Sequence, residues 1–245
     1  LWRFGKISMI TDIRLVQNRC VCCDADTNNL ERLWKYEHVT KTLTKKWHFN
    51  VNNSICNNCG MVFQSPTFSQ SDLEHYYSDS RVYHKIDYDI QKRINVCSKY
   101  SSTGKEFIEL GAKQKTEFHK QLVAKFKSVS TYGLESNSEF DVSASQLSSG
   151  AKKFDVLAHY FVLEHVPDPK AFLMDCRSYL NNGGVMITEV PDIAKYPHDI
   201  AALMLYEHTN HFSIQKLTEI CFECGFKLTY VNHDEASRSF GMVTV

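Results

Sequence analysis

From Glu106 onward the chain alternates short apolar runs with amphipathic stretches. The runs are Phe107–Leu110, Val129–Leu134, Phe154–Tyr160 and Val185–Val190, with helical spacing over Gln114–Phe126 and Pro169–Leu180 between them. Strand and helix in alternation predict a parallel sheet covered by helices on both faces. A short third strand is expected near Phe140–Ser143, in a stretch too compressed for a full helix before it. A further helix over Ile214–Phe226 is capped by Gly225. The end of the chain departs from this rhythm. Lys227–Asn232 and Phe240–Val245 are joined by a polar link too short for a crossover helix, so these two strands should pair antiparallel.

The front of the chain has a different texture. Residues 12–69 carry aromatic anchors and the turn residues Asn52-Asn53 and Asn57-Asn58, ending at Ser65-Pro66-Thr67. Two C-x-x-C pairs sit here, Cys20 with Cys23 and Cys56 with Cys59. Each pair fits a tight turn holding one face of a tetrahedral zinc, and together they close a four-sulfur structural site. The long gap between the pairs requires an inserted hairpin or short helix. A disulfide is the competing reading, but nothing in the sequence suggests secretion. Cys221 and Cys224 are also C-x-x-C, yet they lie on one helix without a second pair, which makes them core filler. Cys22, Cys97 and Cys176 are single and structural. Residues 70–104 read as a polar, tyrosine-rich helical linker, and 105–245 as the α/β domain.

Composition narrows the partners. With 28 basic and 28 acidic side chains the net charge is zero, so no global field draws the chain to nucleic acid or a membrane. At 245 residues and 43% apolar content it can hold one large core and a small one. No apolar run approaches the length of a membrane span, and no signal peptide with a cleavage site is expected. A cytoplasmic monomer or homodimer is the expectation. Leu1–Ser8 precede the first methionine, Met9, and are read as upstream of the folded chain.

Three segments resemble class I methyltransferases that use S-adenosylmethionine. Phe154-Asp155-Val156-Leu157 through Val162-Leu163-Glu164-His165-Val166-Pro167-Asp168-Pro169 looks like that family's fourth strand and following turn. Leu180-Asn181-Asn182-Gly183-Gly184-Val185-Met186-Ile187-Thr188-Glu189-Val190-Pro191 resembles its approach to the fifth strand. Tyr206-Glu207-His208-Thr209-Asn210-His211-Phe212-Ser213 resembles a segment of the C-methyltransferases acting on nucleotide-linked deoxysugars, which carry an N-terminal four-cysteine zinc domain. The match in this order spans about Arg19 to Val245. The resemblance implies a Rossmann-like class I methyltransferase sheet, mostly parallel with an antiparallel last strand, preceded by a small zinc ribbon. It implies S-adenosylmethionine and structural zinc as cofactors, and a nucleotide-sugar as the small-molecule substrate. It also maps Glu207, His208 and His165 onto functional positions, joined by a linker tyrosine, Tyr83 or Tyr77.

The residues support a cofactor crevice independently. Ligands of open α/β sheets bind beyond the carboxyl ends of the strands. The first strand ends at Glu109-Leu110-Gly111, where glycine lets the backbone approach the cofactor. The second ends at Gly133-Leu134-Glu135, whose carboxylate can accept both ribose hydroxyls. His159 stands at the tip of the fourth strand, facing the crevice or packed at the strand end. The family's glycine-rich first loop is reduced here to Gly111, with Lys113 and Lys115 where later glycines would stand. The acidic residue expected against the adenine amine has only Gln146 as a counterpart. For the chemistry, methyl transfer to carbon needs a base for a proton beside a carbonyl. His208 beside Glu207 suits that role, since imidazole titrates near neutrality. His165 could equally be a turn-capping residue, and His211 reads as structural.

Two readings from other classes stand beside this one. The lysines in the first loop would fit a methyltransferase-fold binding protein with little catalysis. The nine basic and five acidic residues in positions 1–60 would suit a nucleic-acid-binding ribbon, but they form no basic stripe with interleaved aromatics. Within the enzyme class, O-methylation of a sugar or lipid precursor is the nearest rival to C-methylation.

Overall fold

The computed structural model describes residues 10–16, 19–79, 90–112, 115–134, 140–195, 205–233 and 239–244. The front of the chain builds strands β1 (Ile10–Asp12), β2 (Leu15–Val16), β3 (Leu30–Lys41), β4 (Lys46–Cys56), β5 (Val62–Gln64) and β6 (Thr67–Phe68). The gap between the two C-x-x-C pairs is filled by the β3–β4 hairpin, paired from Leu30↔Cys56 to Lys41↔Lys46. On β4, Trp47, Phe49 and Val51 alternate inward, the period-two pattern of a strand with one buried face. Helix α1 (Gln70–Asp79) lays Leu73 and Tyr76 onto that face, closing a core with Ile13 and Phe68.

Helix α2 (Ile90–Ser98) leads into a six-stranded sheet. Its strands are β7 (Glu106–Leu110), β8 (Ser128–Tyr132), β9 (Phe154–Tyr160), β10 (Leu180–Pro191), β12 (Leu228–His233) and β13 (Ser239–Thr244), in the order β12-β13-β10-β9-β7-β8. Strands β8, β7, β9 and β10 run parallel. Strand β13 pairs antiparallel with both β10 and β12, as the short link between the last two strands dictates. Central β9 is buried on both faces, which is why its sequence reads as a run rather than an alternation.

Between the strands lie α3 (Glu117–Val123), α4 (Ala144–Ser148), α5 (Pro169–Tyr179) and α6 (Ile214–Glu223). Asp168 caps α5 by accepting from the Ala171 N–H at 2.9 Å, with Pro169 in the first turn, where its missing N–H costs nothing. Gly225 ends α6 at φ +84°, as expected of the cap. The helix expected over Gln114–Phe126 is shorter than its pattern. Thr116 caps it with His119, and the chain leaves the helix after Val123.

The expected third strand near Phe140–Ser143 does not form. The Asp141 carboxylate instead accepts from the backbone N–H and hydroxyl of Thr131, both at 3.0 Å. This side chain occupies the edge of β8 that a further strand would have paired. Ser143 then caps α4 by accepting from the Gln146 N–H, and the Gln146 side chain answers through the Ser143 N–H. Gln146 is thereby a capping residue.

Strand β11 (Asn210–His211) joins the two halves. It comes from the segment after His208, yet it pairs antiparallel with β5 of the front sheet. Below it, one continuous apolar cluster runs from Cys20, Cys56, Met61 and Phe63 to Phe212, Leu217 and Ile220. Cys176, Cys221 and Cys224 lie in the same cluster, as packed thiols rather than exposed ligands.

Candidate functional site

Four cysteine sulfurs converge at the base of the β3–β4 hairpin. Cys20 Sγ lies 3.5 Å from Cys59 Sγ, and Cys23 Sγ lies 3.6 Å from Cys56 Sγ. A tetrahedron with zinc–sulfur bonds of about 2.3 Å has edges of about 3.8 Å, so the cluster has the size such an ion requires. The two turns that present the thiols are held by backbone bonds, Asp24 N–H to Cys20 O at 2.9 Å and Gly60 N–H to Cys56 O at 2.7 Å. Partial burial opposes ionisation of Cys23. Hydrogen bonds from the Asn58 amide and the Ala25 N–H prevail and bring its thiol down to about 7, favouring the thiolate a metal needs.

The carboxyl ends of β7, β8 and β9 form the second feature. Gly111 follows β7 at φ +76°, a left-handed conformation that a side chain disfavours. A Cβ there would lie 2.3 Å from Val162 Cγ2. The Gly111 N–H donates to Tyr132 O at 2.7 Å, folding the chain sharply across the end of β8. This turn sets the Gly111 backbone against the Val162 side chain at the carboxyl end of the strands, where a class I methyltransferase would hold S-adenosylmethionine.

Glu109, expected to serve the cofactor, lies with Oε2 2.9 Å from His119 Nε2. His119 Nδ1 accepts the Thr116 N–H at 3.0 Å, so Nε2 is the nitrogen left beside the carboxylate. Glu109 thus ties the first strand to the start of α3. Lys115 reaches away to Asp141 at 2.6 Å. Glu135 lies outside the described residues.

His159 is wholly buried, with Nε2 3.1 Å from the Thr188 hydroxyl and its ring edge-on to Phe172. Burial pushes it down to about 3, so it is a neutral, packed imidazole. Of its two sequence readings, strand-end packing describes this position.

The third feature gathers the remaining candidates. The turn after β9 carries Glu164 and His165, just beyond the Val162 that abuts Gly111. His165 and His208 stand edge to face, ring centroids 4.9 Å apart. His165 Nδ1 lies 3.0 Å from Glu207 O and 3.0 Å from the Tyr77 hydroxyl. A carbonyl can only accept, so His165 Nδ1 carries a proton directed at Glu207 O.

The Tyr76 hydroxyl donates to Glu207 Oε1 at 2.6 Å and lies 3.0 Å from the Tyr206 hydroxyl. Burial, reinforced by Glu207, raises the Tyr76 hydroxyl far above its ordinary value, so Tyr76 is a donor at any working pH. Tyr77 is thus the linker tyrosine that meets His165, while Tyr83 lies outside the described residues. Sequence reasoning missed Tyr76, whose only signal is its place in the Tyr76-Tyr77 pair of an otherwise polar helix.

The front sheet holds this segment in place. Gln64 Nε2 donates to Tyr206 O at 3.1 Å and to His208 O at 2.9 Å. The Gln64 N–H donates to Thr209 O at 2.9 Å. His211 is buried with Nε2 3.1 Å from Asn53 Oδ1, the structural role expected of it. Glu164 is 1% exposed. Burial, with Glu189 nearby, pushes its carboxyl up to about 8.

Among known proteins, residues 82–231 match the model of a methyltransferase domain family, more than half of the chain. A ubiquinone biosynthesis O-methyltransferase of Parvibaculum lavamentivorans is 49% identical over 43 residues, 18% of this chain and 17% of that protein. One from Cereibacter sphaeroides is 43% identical over 47 residues, 19% of each. The chain therefore spans less than a fifth of these curated relatives. Among solved structures, the 1,6-didemethyltoxoflavin-N1-methyltransferase of Burkholderia thailandensis has a TM-score of 0.50 and 13% identity. That likeness covers 76% of this chain and 95% of the other, which was solved with 1,6-didemethyltoxoflavin and S-adenosylhomocysteine bound.

Proposed function

Because the chain belongs to the methyltransferase domain family and is an S-adenosylmethionine-dependent methyltransferase, we propose that it methylates a carbon of a nucleotide-linked keto sugar. In this reading residues 12–69 form a zinc-stabilised domain, 70–104 a helical linker and 105–245 the methyltransferase domain. The bound donor supplies an electrophilic methyl group on a sulfonium. In this reading Gly111 and Glu135 serve the donor, as their strand-end positions in the sequence suggest, and Glu109 fixes the first strand against α3.

One observation supports the acceptor site most: His165, His208, Glu207, Tyr76 and Tyr77 converge beyond the carboxyl end of β9. Groups that accept and donate protons are gathered where an acceptor would face the donor. His208 takes the proton flanking the ketone, and Glu207 with Tyr76 orients it. The carbon's electron pair then forms the new bond to the methyl group. The sulfur–methyl bond breaks toward sulfur, leaving neutral S-adenosylhomocysteine.

Deuterium exchange at the acceptor carbon, followed without methyl donor, tests the proton step directly. The His208→Gln variant should lose exchange and lower turnover by about 100-fold or more, with S-adenosylhomocysteine affinity unchanged. Exchange that persists in that variant assigns the base elsewhere. O-methylation is the second reading, favoured by the names of the short-matching relatives. Methylation of a hydroxyl without carbon exchange in the unaltered protein would decide for it.

A further inference from the structure

We propose that Glu164, His165 and His208 form a second metal site, one that binds a divalent cation where the acceptor's oxygen would sit. Their ligand atoms all lie within 4.8 Å of one another. Bonds of about 2.0–2.2 Å from nitrogen and oxygen to a first-row ion place ligands on opposite sides of the ion up to about 4.4 Å apart. Adjacent ligands at these bond lengths stand about 3.3–3.6 Å apart, so the three side chains close on the ion by up to about 1–1.5 Å.

The lone pairs make the case. Glu164 is 1% exposed, and among the described residues neither carboxylate oxygen has a hydrogen-bond donor. A buried carboxylate left that way costs several kcal/mol in general unless a proton or cation meets it. The His165 Nδ1–H is directed at Glu207 O, and the ring's Nε2 faces Glu164 Oε1 at 3.7 Å. That separation is long for a hydrogen bond but fits two ligands sharing one ion. A ring nitrogen whose partner nitrogen donates to a backbone carbonyl is also how proteins orient a metal-binding imidazole. The Thr209 hydroxyl, donating to Glu164 O at 3.1 Å, fixes the backbone of the turn.

Two imidazoles and one carboxylate suit a borderline divalent ion such as zinc, cobalt or iron(II), and leave coordination positions open. The cysteine cluster, by contrast, is closed. An oxygen-bearing acceptor could fill an open position, and the ion would stabilise the negative charge that develops on that oxygen. This inference rests on the acceptor reading of the same cluster and refines its division of labour. With the ion held, His208 is a ligand, and the proton passes to Glu207.

Cobalt(II) titration of the full chain, its cysteine site first filled with zinc, tests this. The expected result is one added cobalt per chain. It should show d–d absorption without the sulfur-to-cobalt charge-transfer band that binding at the cysteines would give. Glu164→Gln should weaken that binding at least tenfold, as should His165→Asn, with S-adenosylhomocysteine affinity retained as the check on folding. Absence of a sulfur-free cobalt spectrum at millimolar metal would overturn the proposal. Binding unaffected by Glu164→Gln would overturn it too. Carbon exchange that continues in a metal-free, chelator-treated sample would leave the methylation reading standing without this site.

Discussion

Gly111→Ala isolates the cost of the turn that follows β7. Two penalties apply. The position sits at φ +76°, where an L side chain costs about 1–2 kcal/mol. The new methyl would also lie 2.3 Å from Val162 Cγ2, and relieving such overpacking costs about 1–3 kcal/mol. Together they predict about 2–5 kcal/mol of destabilisation, or about 4–20 °C in melting temperature for a chain this size. Gly183 provides the control, because its φ is +72° and a methyl added there would meet nothing within 4 Å. Gly183→Ala should therefore lose only the backbone part. Adding Val162→Ala to Gly111→Ala should recover the contact part and leave the backbone part. Thermal unfolding of these variants beside the unaltered protein, with S-adenosylhomocysteine calorimetry on each, measures both. If Gly111→Ala costs no more than Gly183→Ala, or Val162→Ala rescues nothing, the steric reasoning is wrong.

If zinc fills the four-cysteine cluster, Cys56→Ser should release it and lower stability and solubility; the cobalt-substituted form should lose the sulfur charge-transfer band, and freshly reduced protein without zinc would refute the cluster as a metal site. Stability should fall on acidification from pH 6.5 toward pH 4, because His159 and His211 are held neutral in the fold, at about 3 and about 4. The unfolded chain binds those protons first, at an ordinary imidazole value near 6.5, so stability rises with pH through this window. Each contributes about 2 kcal/mol of loss at pH 5, and a denaturation midpoint flat from pH 7 to 5 would contradict it. Glu135→Ala should weaken S-adenosylhomocysteine binding by about 1.5–3 kcal/mol, and an unchanged dissociation constant would place the ribose elsewhere.

The parallel sheet, its antiparallel finish and the paired cysteine turns were legible in the sequence, because each is a local signal. Apolar runs and helical periods declare strands and helices, and a link too short for a crossover forces antiparallel pairing. The missing third strand was not legible. A side-chain bond from Asp141 to Thr131 takes the strand edge, and no residue pattern announces that. The shortening of the helix after Thr116 has the same character, since its cap depends on where His119 points.

The candidate site divides in the same way. His165, Glu207 and His208 could be singled out as residue types in recognisable segments, but their meeting could not. It depends on β11 pairing with β5 and on Gln64 gripping the carbonyls of Tyr206 and His208. Tyr76 reaches Glu207 only because α1 packs on the front sheet. The sequence alone therefore determined the elements and the chemical vocabulary of this protein. The tertiary structure decided which side chains share a proton and which buried carboxyl group stands beside an imidazole. The physical reason is range: backbone preference and periodicity act over a few residues, whereas these contacts join positions 64 and 208, 76 and 207, 77 and 165.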